Sequence, residues 1–436
     1  MELTVEEVAA AVRGEVVGPP AVVTGASIDS RLAGAGHLFV PLVAERDGHD
    51  FIPAALEAGA AAYLTEREPI EGITATAVRV DDTMQALTRL GTVARDRLPE
   101  AVTGITGSVG KTSVKDLLAA ALSTTHRTSA SEKSFNNEIG VPLTLVNAPD
   151  ETQRVVLEMG ARGIGHIRAL CDVARPTVAI VTMVAEVHTS EFGSIEEVAR
   201  GKGELVESVP VDGHVVLNGS DARVRAMAAR TEARVLTYGV SGDVVAQRID
   251  LDDHLRPRFR LSSPWGSVDV HLAVHGVHQV GNALAAAAAA LVQDVPLEAV
   301  AEGLASAGLS PWRMELAHAP SGAVVLNDAY NSNPTALAAA LHSLAALDVD
   351  RHRAVLGVMA ELGAHSDQRH AEMGELAEEL GIEVVTVDCP AYGVGTDVPT
   401  VEAAVEVLGP LGHDDAVLVK ASRSAGLERV AALLLA

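Results

Sequence analysis

The chain has 436 residues and a formal net charge of −25 at pH 7, with 48% hydrophobic and 21% charged residues. Its length predicts several domains rather than one hydrophobic core, and its negative charge argues against a nucleic-acid-binding surface. The acidic N-terminus lacks the pattern of a signal peptide, and the alanine run 283–290 is too short to span a membrane. Two cysteines far apart in sequence offer neither zinc spacing nor a disulfide framework. We therefore expect a globular protein of the cytoplasm that is not embedded in a membrane.

Residues 1–98 show the apolar periodicity of a small α/β domain. Helices are predicted over 3–12, 51–58 and 84–97, and strands are predicted over 22–28, 37–41 and 61–64. Two polar segments, 29–31 and 45–50, interrupt these elements. Either segment alone is best explained as a solvated loop.

The segment 103–113, with the sequence TGITGSVGKTS, is the clearest motif of the chain. It follows a buried strand predicted over 101–106 and precedes a helix predicted over 114–122. Glycines at such a turn let backbone N–H groups approach an anion, and the helix N-terminus adds a favourable partial charge. Lys111 would then reach the β- and γ-phosphates of a nucleotide, and the Thr112 hydroxyl would ligate Mg²⁺. Because Ile105 stands where the strict pattern has its first glycine, a plain glycine turn before a helix is the alternative.

Strands and helices alternate from here to about residue 310, as in a parallel sheet with crossover helices. Glu158 lies in a strand predicted over 154–159, and His188 follows a strand predicted over 177–184. Ligands collect outside the carboxyl ends of such strands. Glu158 could therefore share Mg²⁺ with Thr112, and His188 could ligate a second metal, although either residue alone would also fit a position on the surface.

Lys202 lies in a helix predicted over 195–207. An ammonium beside two divalent cations is repelled by them, so two roles stay open. Lys202 is either a surface lysine or an amine that CO₂ converts into a metal-binding carbamate. The residues alone favour the surface lysine.

The remaining segments complete the prediction of the fold. Residues 234–275 alternate in polarity and carry turns, which predicts antiparallel hairpins appended to the sheet. From about residue 311 the α/β rhythm restarts and indicates a third domain of dinucleotide-fold type without a G-x-G-x-x-G loop. Its predicted strands cover 323–327, 354–358, 384–387 and 416–419, and its predicted helices cover 335–347, 367–380, 401–408 and 425–435.

Several motifs, taken in order, resemble those of the Mur ligases of peptidoglycan synthesis. They are TGSVGKTS at 106–113, NNEIGVP at 136–142, EMGA at 158–161, FGS at 192–194 and KGE at 202–204. Further segments are similar to the branch of this family that joins D-alanyl-D-alanine to UDP-N-acetylmuramoyl-tripeptide, namely DAYNSNP at 328–334, VLGVMAELG at 355–363, and His365 and His370. Residues 29–31 and 46–51 match the UDP-binding domain of that branch, so the resemblance covers nearly the whole chain.

The resemblance implies an α/β protein of three domains. These would be a small α/β UDP-sugar-binding domain at 1–98, a central P-loop ATPase domain with a parallel sheet at 99–310, and a C-terminal Rossmann-like domain at 311–436. It further implies a ligase that uses ATP and Mg²⁺, forms an acyl phosphate on the tripeptide, releases ADP, and then joins the amine of D-alanyl-D-alanine. We expect it to act as a monomer.

The resemblance also implies a role for each matching residue. The catalytic residues would be Lys111, Glu158, His188 and Lys202, the last as a carbamate. ATP would be bound by Gly107, Ser108, Val109, Gly110, Lys111, Thr112 and Ser113, by Asn282 at the adenine, by Arg313 at the γ-phosphate, and by Asp328 and Asn331. Metal ions would be bound by Thr112, Glu158, His188 and carbamylated Lys202. The UDP-sugar would contact Ser30, Arg31, Asp47 and His49, and its muramoyl end would contact Asn136 and Asn137.

Three other classes of protein remain as alternatives, and two residues depart from the usual family sequence. Another Mur-type amino-acid ligase, such as one that adds a diamino acid, carries Asp-Asn-Pro-Arg in its last domain, which this chain lacks. A folylpolyglutamate synthase has no counterpart of the UDP-binding segments, and an inactive nucleotide-binding homologue would not need the four catalytic residues. Met183 stands where the family usually has asparagine, and Glu186 adds a carboxylate near the predicted second metal.

Overall fold

The computed structural model describes residues 2–70, 72, 74–99, 101–185 and 193–436. His188, Glu186 and Phe192, all named above, lie outside the described residues. The described part of the chain forms no helix that is both long enough and apolar enough to cross a bilayer. The chain folds into successive α/β units, each built on a largely parallel sheet, as the sequence predicts.

The first unit contains a five-stranded sheet and a two-stranded ribbon. Its strands are β1 (Leu3–Thr4), β2 (Glu15–Val17), β3 (Val22–Val23), β4 (Gly25–Ser27), β5 (His37–Phe39), β6 (Ala62–Thr65) and β7 (Thr76–Arg79), and its helices are α1 (Val5–Val12), α2 (Ile52–Glu57) and α3 (Thr83–Arg97). The five strands lie in the order β2-β7-β6-β5-β4, in which only β2 is antiparallel to its neighbour.

Two boundaries in this unit differ from the prediction. Helix α1 begins at Val5 because Thr4 caps it: the Thr4 hydroxyl accepts from the Glu7 N–H at 3.2 Å, and the Glu7 carboxylate accepts from the Thr4 N–H at 2.8 Å. The predicted strand 22–28 is two strands, since β3 pairs with β1 whereas β4 pairs with β5. An apolar run does not indicate such a change of partner.

The central unit carries a six-stranded parallel sheet in the order β13-β12-β11-β8-β10-β9. Its strands are β8 (Val102–Thr106), β9 (Thr128–Ala130), β10 (Arg154–Glu158), β11 (Val178–Val181), β12 (His214–Asn218) and β13 (Arg234–Tyr238). A separate antiparallel sheet contains β14 (Val245–Leu251), β15 (Pro257–Ser263) and β16 (Gly266–His271). The hairpin prediction is confirmed for β14, β15 and β16, which form that antiparallel sheet. It is wrong for 234–238, because β13 is the parallel edge strand beside β12.

The helices of the central unit hold the glycine loop at the carboxyl edge of this sheet. They are α4 (Lys111–Ser123), α5 (Gly140–Asn147), α6 (His166–Ala174), α7 (Ile195–Lys202), α8 (Glu204–Glu207), α9 (Ala222–Ala226), α10 (Gln279–Leu291) and α11 (Leu297–Ser306). Helix α4 packs against α10 and α11, and a Cβ at Gly303 would lie 2.5 Å from the Ala121 Cα. The alanines of the run 283–290 are completely buried in this layer, where their small side chains let the helices approach closely.

The third unit has six strands in the order β17-β18-β22-β19-β20-β21, in which only β17 is antiparallel. Its elements are β17 (Glu315–His318), β18 (Val324–Asn327), β19 (Arg351–Leu356), β20 (Glu383–Val387), β21 (Thr396–Val398), β22 (Asp415–Lys420), α12 (Pro334–Ala345), α13 (Ser366–Glu379), α14 (Val401–Leu408) and α15 (Glu428–Leu435). Apolar side chains cover both faces of this sheet, with Leu326 and Leu418 in one core and Val325 and Val417 in the other. This is the doubly covered sheet that the sequence predicts.

Candidate active site

The glycine loop between β8 and α4 has the backbone geometry of a phosphate cradle. Gly107 and Gly110 have φ angles of 147° and 89°, and a Cβ at Gly110 would lie 2.6 Å from Asn282 Oδ1. The Ser108 N–H donates to the Met183 carbonyl at 2.8 Å, so the end of β11 fixes the loop. Only glycine fits both loop positions without strain or a clash.

Lys111, the first residue of α4, turns back over this loop. Its ammonium donates to the Gly107 carbonyl at 2.9 Å. Burial lowers the pKa of Lys111, the charge of Glu158 opposes this, and the charge of Arg313 adds to it. The phosphates of a nucleotide would supply the negative charge that favours the ammonium form.

Thr112 and Glu158 meet because β8 and β10 are parallel neighbours whose carboxyl ends align. The Thr112 hydroxyl donates to Glu158 Oε2 at 2.8 Å, and Asn136 Nδ2 donates to Glu158 Oε1 at 2.8 Å. The Glu158 side chain is buried at the end of its strand. A hydroxyl and a carboxylate are oxygen ligands that Mg²⁺ prefers, so this pair fits the predicted metal.

Arg313 reaches the same point from the segment that leads into the third unit. Its Nη2 donates to the Thr112 hydroxyl at 3.0 Å, and its guanidinium lies 4.2 Å from the centre of the Tyr330 ring. The flanking residues Trp312 and Met314 have φ angles of 61° and 52°. Such strain in bulky residues is typical of functional segments. Among the described residues, Arg313 Nε has no hydrogen-bond partner.

Tyr330 and Ser134 form a contact across the same junction that the sequence did not reveal. Their hydroxyl oxygens are within hydrogen-bond distance of each other. Ser134 lies in the segment that also carries Asn136, whereas Tyr330 belongs to the DAYNSNP motif. No local pattern signals a contact between residues so far apart in the chain.

Asp328 and Asn331 surround a buried lysine, Lys420, that sequence reasoning missed. The Lys420 ammonium pairs with the Asp328 carboxylate and donates to the Asn331 carbonyl at 2.9 Å. Asp328 Oδ1 also accepts from the Met314 N–H at 3.1 Å, so it fixes the chain beside Arg313. Burial lowers the pKa of Lys420 and Asp328 opposes that shift. The nucleotide contacts of Asp328 and Asn331 stay predictions.

Lys202 is buried, with 2% of its surface exposed, so the prediction of a surface lysine is wrong. The predicted helix 195–207 breaks at Gly203, and α7 packs the face that carries Val198 and Lys202 inward. Burial, followed by the positive charge of Lys111, holds the pKa of Lys202 well below its ordinary value. No hydrogen bond or ion pair joins its amine to another described residue.

The cavity between the central and third units has a volume of about 840 Å³. It brings together the loop residues 108–113, Glu158, Asn136, Arg313, Asp328 and Asn331. Asn282, in the first turn of α10, also lines it and donates to Gln279 Oε1 at 2.8 Å. The exposed apolar side chains of Val240, Ile249 and Val277 also line the cavity, and apolar side chains of this kind suit a flat aromatic base.

The predicted UDP-sugar residues belong to the first unit and do not line this cavity. Arg31 makes a two-point ion pair with Asp29, at 2.9 and 2.6 Å. Asp47 accepts from the His49 N–H at 3.0 Å and contacts His49 Nδ1 at 2.7 Å, which lowers the pKa of Asp47. His49 Nε2 accepts from the Glu66 N–H at 3.0 Å, so both ring nitrogens are engaged.

Asn136 and Asn137, both predicted to contact the muramoyl end, lie in different surroundings. Asn136 lines the cavity, whereas Asn137 Oδ1 accepts from the Gly140 N–H at 3.0 Å and fixes the start of α5. Ser30 is half-buried in the loop after β4, and a small cleft of about 240 Å³ lies beside His49 and Arg67. Binding of the UDP-sugar by these residues stays a prediction.

Comparison with known proteins agrees with this architecture. Three family models match the chain in order: "Mur ligase family, catalytic domain" at 22–102, "Mur ligase middle domain" at 105–290, and "Mur ligase, glutamate ligase domain" at 312–423. The chain belongs to the Mur ligase family.

Named relatives come from one branch of that family. A Mycobacterium tuberculosis protein named UDP-N-acetylmuramoyl-tripeptide–D-alanyl-D-alanine ligase is 38% identical, with 100% of this chain and 98% of that protein covered. The crystal structure of MurF from Acinetobacter baumannii superposes with a TM-score of 0.88 at 29% identity, covering 100% of this chain and 99% of that one. MurF from Thermotoga maritima in complex with ADP gives a TM-score of 0.82 at 26% identity, covering 94% and 97%.

Proposed function

We propose that this chain is an ATP-dependent ligase that joins D-alanyl-D-alanine to UDP-N-acetylmuramoyl-tripeptide and releases ADP and phosphate. One observation carries the proposal, a chain of two hydrogen bonds beside the glycine loop. Arg313, from the junction with the third domain, donates to the Thr112 hydroxyl at 3.0 Å, and that hydroxyl donates to Glu158 Oε2 at 2.8 Å. Phosphate, metal and third domain would therefore meet at one point of the cavity. Relatives that cover the whole chain and carry this activity in their names support the same function.

In the first step an oxygen of the tripeptide's terminal carboxylate attacks the γ-phosphorus of ATP, and the bond from that phosphorus to the β-phosphate oxygen breaks. The products are an acyl phosphate and ADP. Lys111, which lies over the glycine loop, and Arg313, which donates to the Thr112 hydroxyl, would spread the negative charge of this transfer. The loop N–H groups and the N-terminus of α4 would hold the remaining phosphates.

Thr112 and Glu158 would hold Mg²⁺, since they supply a hydroxyl and a carboxylate at the phosphate loop. A metal ion bound there would neutralise phosphate charge during the transfer. Asn136, which donates to the second Glu158 oxygen, would keep the carboxylate turned towards the loop. His188 is our proposed ligand for a second metal on the strength of the family resemblance.

We propose that Lys202 is carbamylated. Its nitrogen would attack CO₂, an N–C bond would form, and a proton would leave to solvent, so that a buried amine becomes an anion. The burial of Lys202 and the lowered pKa of its amine both favour the neutral, reactive form. NMR of the protein in ¹³C-bicarbonate should give a carbamate signal that Lys202→Arg abolishes together with turnover. A Lys202→Arg variant with normal turnover would refute the carbamate.

In the second step the neutral amine of D-alanyl-D-alanine attacks the acyl carbon and a nitrogen–carbon bond forms. The carbon–oxygen bond to phosphate breaks, and the phosphate leaves with the proton that the amine gives up. The third domain, bounded here at 311–436, would bring this amine and exclude water that would hydrolyse the acyl phosphate. The first domain, at 1–98, would hold the UDP-sugar. We also propose that the protein acts as a monomer in the cytoplasm.

Mass spectrometry of the products tests this function directly. The full chain, incubated with ATP, Mg²⁺, UDP-N-acetylmuramoyl-tripeptide and D-alanyl-D-alanine, should yield one new amide together with ADP and phosphate. Formation of AMP and pyrophosphate would refute the acyl-phosphate route. ATP hydrolysis that does not depend on either peptide substrate would refute the ligase.

A further inference from the structure

Lys115, in helix α4, is a buried lysine that the proposed chemistry does not use. Its side chain is 3% exposed and lies one turn after Lys111 along the helix. The chain has only five lysines, and Lys133 alone among them has a mostly exposed side chain. Lys111 and Lys202 belong to the proposed mechanism, and Lys420 is paired within the third unit. Lys115 therefore remains as a buried cation without an assigned task.

The Lys115 ammonium has an acceptor for each of its three N–H donors. It donates to the carbonyls of Ser131 and Lys133, both at 2.8 Å, and pairs with the Asp116 carboxylate at 2.9 Å. Lys133 has a φ of 50°, and such strain persists where surrounding contacts hold the backbone. The ammonium therefore ties the backbone of the segment 131–136, which follows β9, to helix α4.

The segment 131–136 presents two side chains to the active site. Asn136 donates to Glu158 Oε1 at 2.8 Å, and the Ser134 hydroxyl contacts the hydroxyl of Tyr330 from the third unit. Both contacts depend on where the backbone of this segment lies. The buried ammonium of α4 therefore acts on the site through that backbone, although it is not among the described residues that line the cavity.

Asp116 extends the same arrangement to the linker between the central and third units. Its Oδ2 accepts from the Ser310 N–H at 2.7 Å, while its Oδ1 pairs with Lys115. The Ser310 hydroxyl also lies 3.5 Å from the Lys115 ammonium. Three residues further along the chain, Arg313 donates to the Thr112 hydroxyl at 3.0 Å. Three residues span at most about 11 Å, so the position of Ser310 limits where Arg313 can reach.

Stability alone does not account for a buried ion pair in this position. The side chains of Lys115 and Asp116 are 3% and 13% exposed. Burying two charges costs desolvation free energy, and well-packed apolar residues of similar volume are often equally stabilising or more so. Apolar side chains could not, however, bind two backbone carbonyls and one backbone N–H from two separate segments. The pair therefore supplies fixed positions rather than stability alone.

We propose that Lys115 and Asp116 are positioning residues of the active site. Lys115 fixes the segment that carries Ser134 and Asn136, and Asp116 fixes the central-unit end of the linker that carries Arg313. Both act from the helix whose first turn forms the phosphate loop, so the side chains that meet the third unit are aligned on one scaffold. This inference rests on the proposed function.

The kinetic test combines Lys115→Met, which removes the charge and the N–H donors at similar length, with Ser134→Ala. Lys115→Met should lower kcat/KM for the tripeptide substrate by about 10- to 100-fold, as expected when a charged donor loses its hydrogen bonds. Ser134→Ala should lower kcat/KM several-fold in the wild type but less than about twofold in the Lys115→Met background, because the displaced segment no longer brings Ser134 to Tyr330. A role in stability alone would leave the two effects additive.

A fluorescence measurement follows the linker without relying on turnover. Trp265→Phe leaves Trp312, which directly precedes Arg313, as the remaining one of the two tryptophans. In this background Asp116→Asn should shift the Trp312 emission to longer wavelength and increase its quenching by acrylamide. The physical reason is that asparagine offers one acceptor oxygen where aspartate offers two, so the Ser310 N–H or Lys115 loses its partner and the linker is released.

Arg351→Met is the matched control, because it also removes the partner of a buried carboxylate. Arg351 pairs with Asp415 at 2.6 Å at the amino ends of β19 and β22, whereas the cavity lies at their carboxyl ends. This variant should melt at a lower temperature than the wild type, while its kcat/KM, the effect of Ser134→Ala and the Trp312 emission stay unchanged.

Lys115→Gln, which keeps two N–H donors on a shorter side chain, replaces Lys115→Met if the latter does not fold. Full additivity with Ser134→Ala, or a Ser134→Ala variant without effect in the wild type, would overturn the role of Lys115 and leave the proposed function intact. Unchanged Trp312 emission and quenching in Asp116→Asn would overturn the role of Asp116. Wild-type protein that forms no amide would overturn the proposed function itself, whereas the Trp312 measurement would still decide whether Asp116 fixes the linker.

Discussion

The central unit meets its two neighbours in different ways. Towards the first unit, α3 packs against α5 and α6 in one continuous apolar core. A Cβ at Gly91 would lie 2.6 Å from the Pro142 Cβ, which shows how closely α3 and α5 approach. Towards the third unit, the contacts named above are mostly polar and surround a cavity of about 840 Å³. One apolar contact accompanies them, because Leu255, between β14 and β15, is buried in a core of the third unit.

Hydrogen bonds from buried polar side chains also reinforce the first junction. The Asn147 side chain accepts from the Ala26 N–H at 2.7 Å and donates to the Ala26 carbonyl at 3.0 Å, so it pairs with the edge strand β4 as a neighbouring strand would. Buried Arg95 donates to the Ala174 carbonyl at 2.6 Å. Opening this junction would expose apolar surface and unpaired backbone groups together.

The contrast indicates which junction moves during the reaction. A large apolar interface is costly to separate, whereas polar groups at a wet interface exchange their partners with water. We therefore infer that the first and central units act as one body, and that substrates enter and leave by motion of the third unit. The following predictions test this division of roles, starting with the largest expected effect.

Lys111→Ala and Glu158→Ala should each lower kcat by about 100-fold or more, because we propose that both groups stabilise charge during phosphoryl transfer at the polar junction. Their melting temperatures should stay close to that of the wild type, since neither side chain belongs to an apolar core. The measurement is steady-state ADP release together with thermal unfolding. Lys133→Ala, which removes an exposed lysine, is the control with normal kcat. Near-normal kcat with a collapsed melting temperature would make either residue structural.

Separated fragments should differ in their ability to fold. Residues 311–436 should unfold cooperatively, because the two cores that flank their sheet are formed almost entirely within that range. Residues 1–98 should not, because α3 would expose the face that it packs against α5 and α6. Circular dichroism during urea unfolding of both fragments makes the comparison. Cooperative unfolding of 1–98 alone would contradict a shared core.

Gly91→Ala should destabilise the full chain by about 1–3 kcal/mol, the usual cost of overpacking a tight contact. In an isolated helix the same change would stabilise by about 1 kcal/mol, so the sign reports the clash with Pro142. Gly308→Ala is the control, because nothing lies within 4 Å of its added Cβ. Denaturant unfolding measures both changes. A stabilised Gly91→Ala variant would show that α3 and α5 are less closely packed.

Tyr330→Phe and Ser134→Ala should each reduce kcat/KM by less than about tenfold, as expected for one neutral hydrogen bond. Their effects should not add in the double variant, because both remove the same contact across the polar junction. Stability should be unchanged in all three variants. Full additivity in kcat/KM would show that the two hydroxyls act separately.

The sequence predicts those parts of the site that depend on a local motif or on the end of a strand. Thr112 and Glu158 could be placed together because a glycine loop and a strand end meet at one edge of a parallel sheet. Burial of Lys202 could not be recognised, since the break at Gly203 and the packing of α7 depend on residues elsewhere in the chain. Tyr330, Ser134 and Lys420 have no local signal for the same reason.

Strand partners show the same limit in the fold. The alternation in 234–275 correctly indicates strands, but the same alternation suits the parallel edge strand β13 and the antiparallel strands β14 to β16. Only the partner decides between them. The chain from 22 to 28 likewise reads as one strand and pairs as two.

Transfer of an oxygen label tests the proposed chemistry most directly. The full chain would be given ATP, D-alanyl-D-alanine, and UDP-N-acetylmuramoyl-tripeptide whose terminal carboxylate carries ¹⁸O. We predict that one labelled oxygen per turnover appears in inorganic phosphate, because the carboxylate oxygen that attacks the γ-phosphorus leaves with it. Label found in AMP, or unlabelled phosphate beside labelled amide alone, would contradict an acyl phosphate formed at Lys111, Thr112 and Arg313.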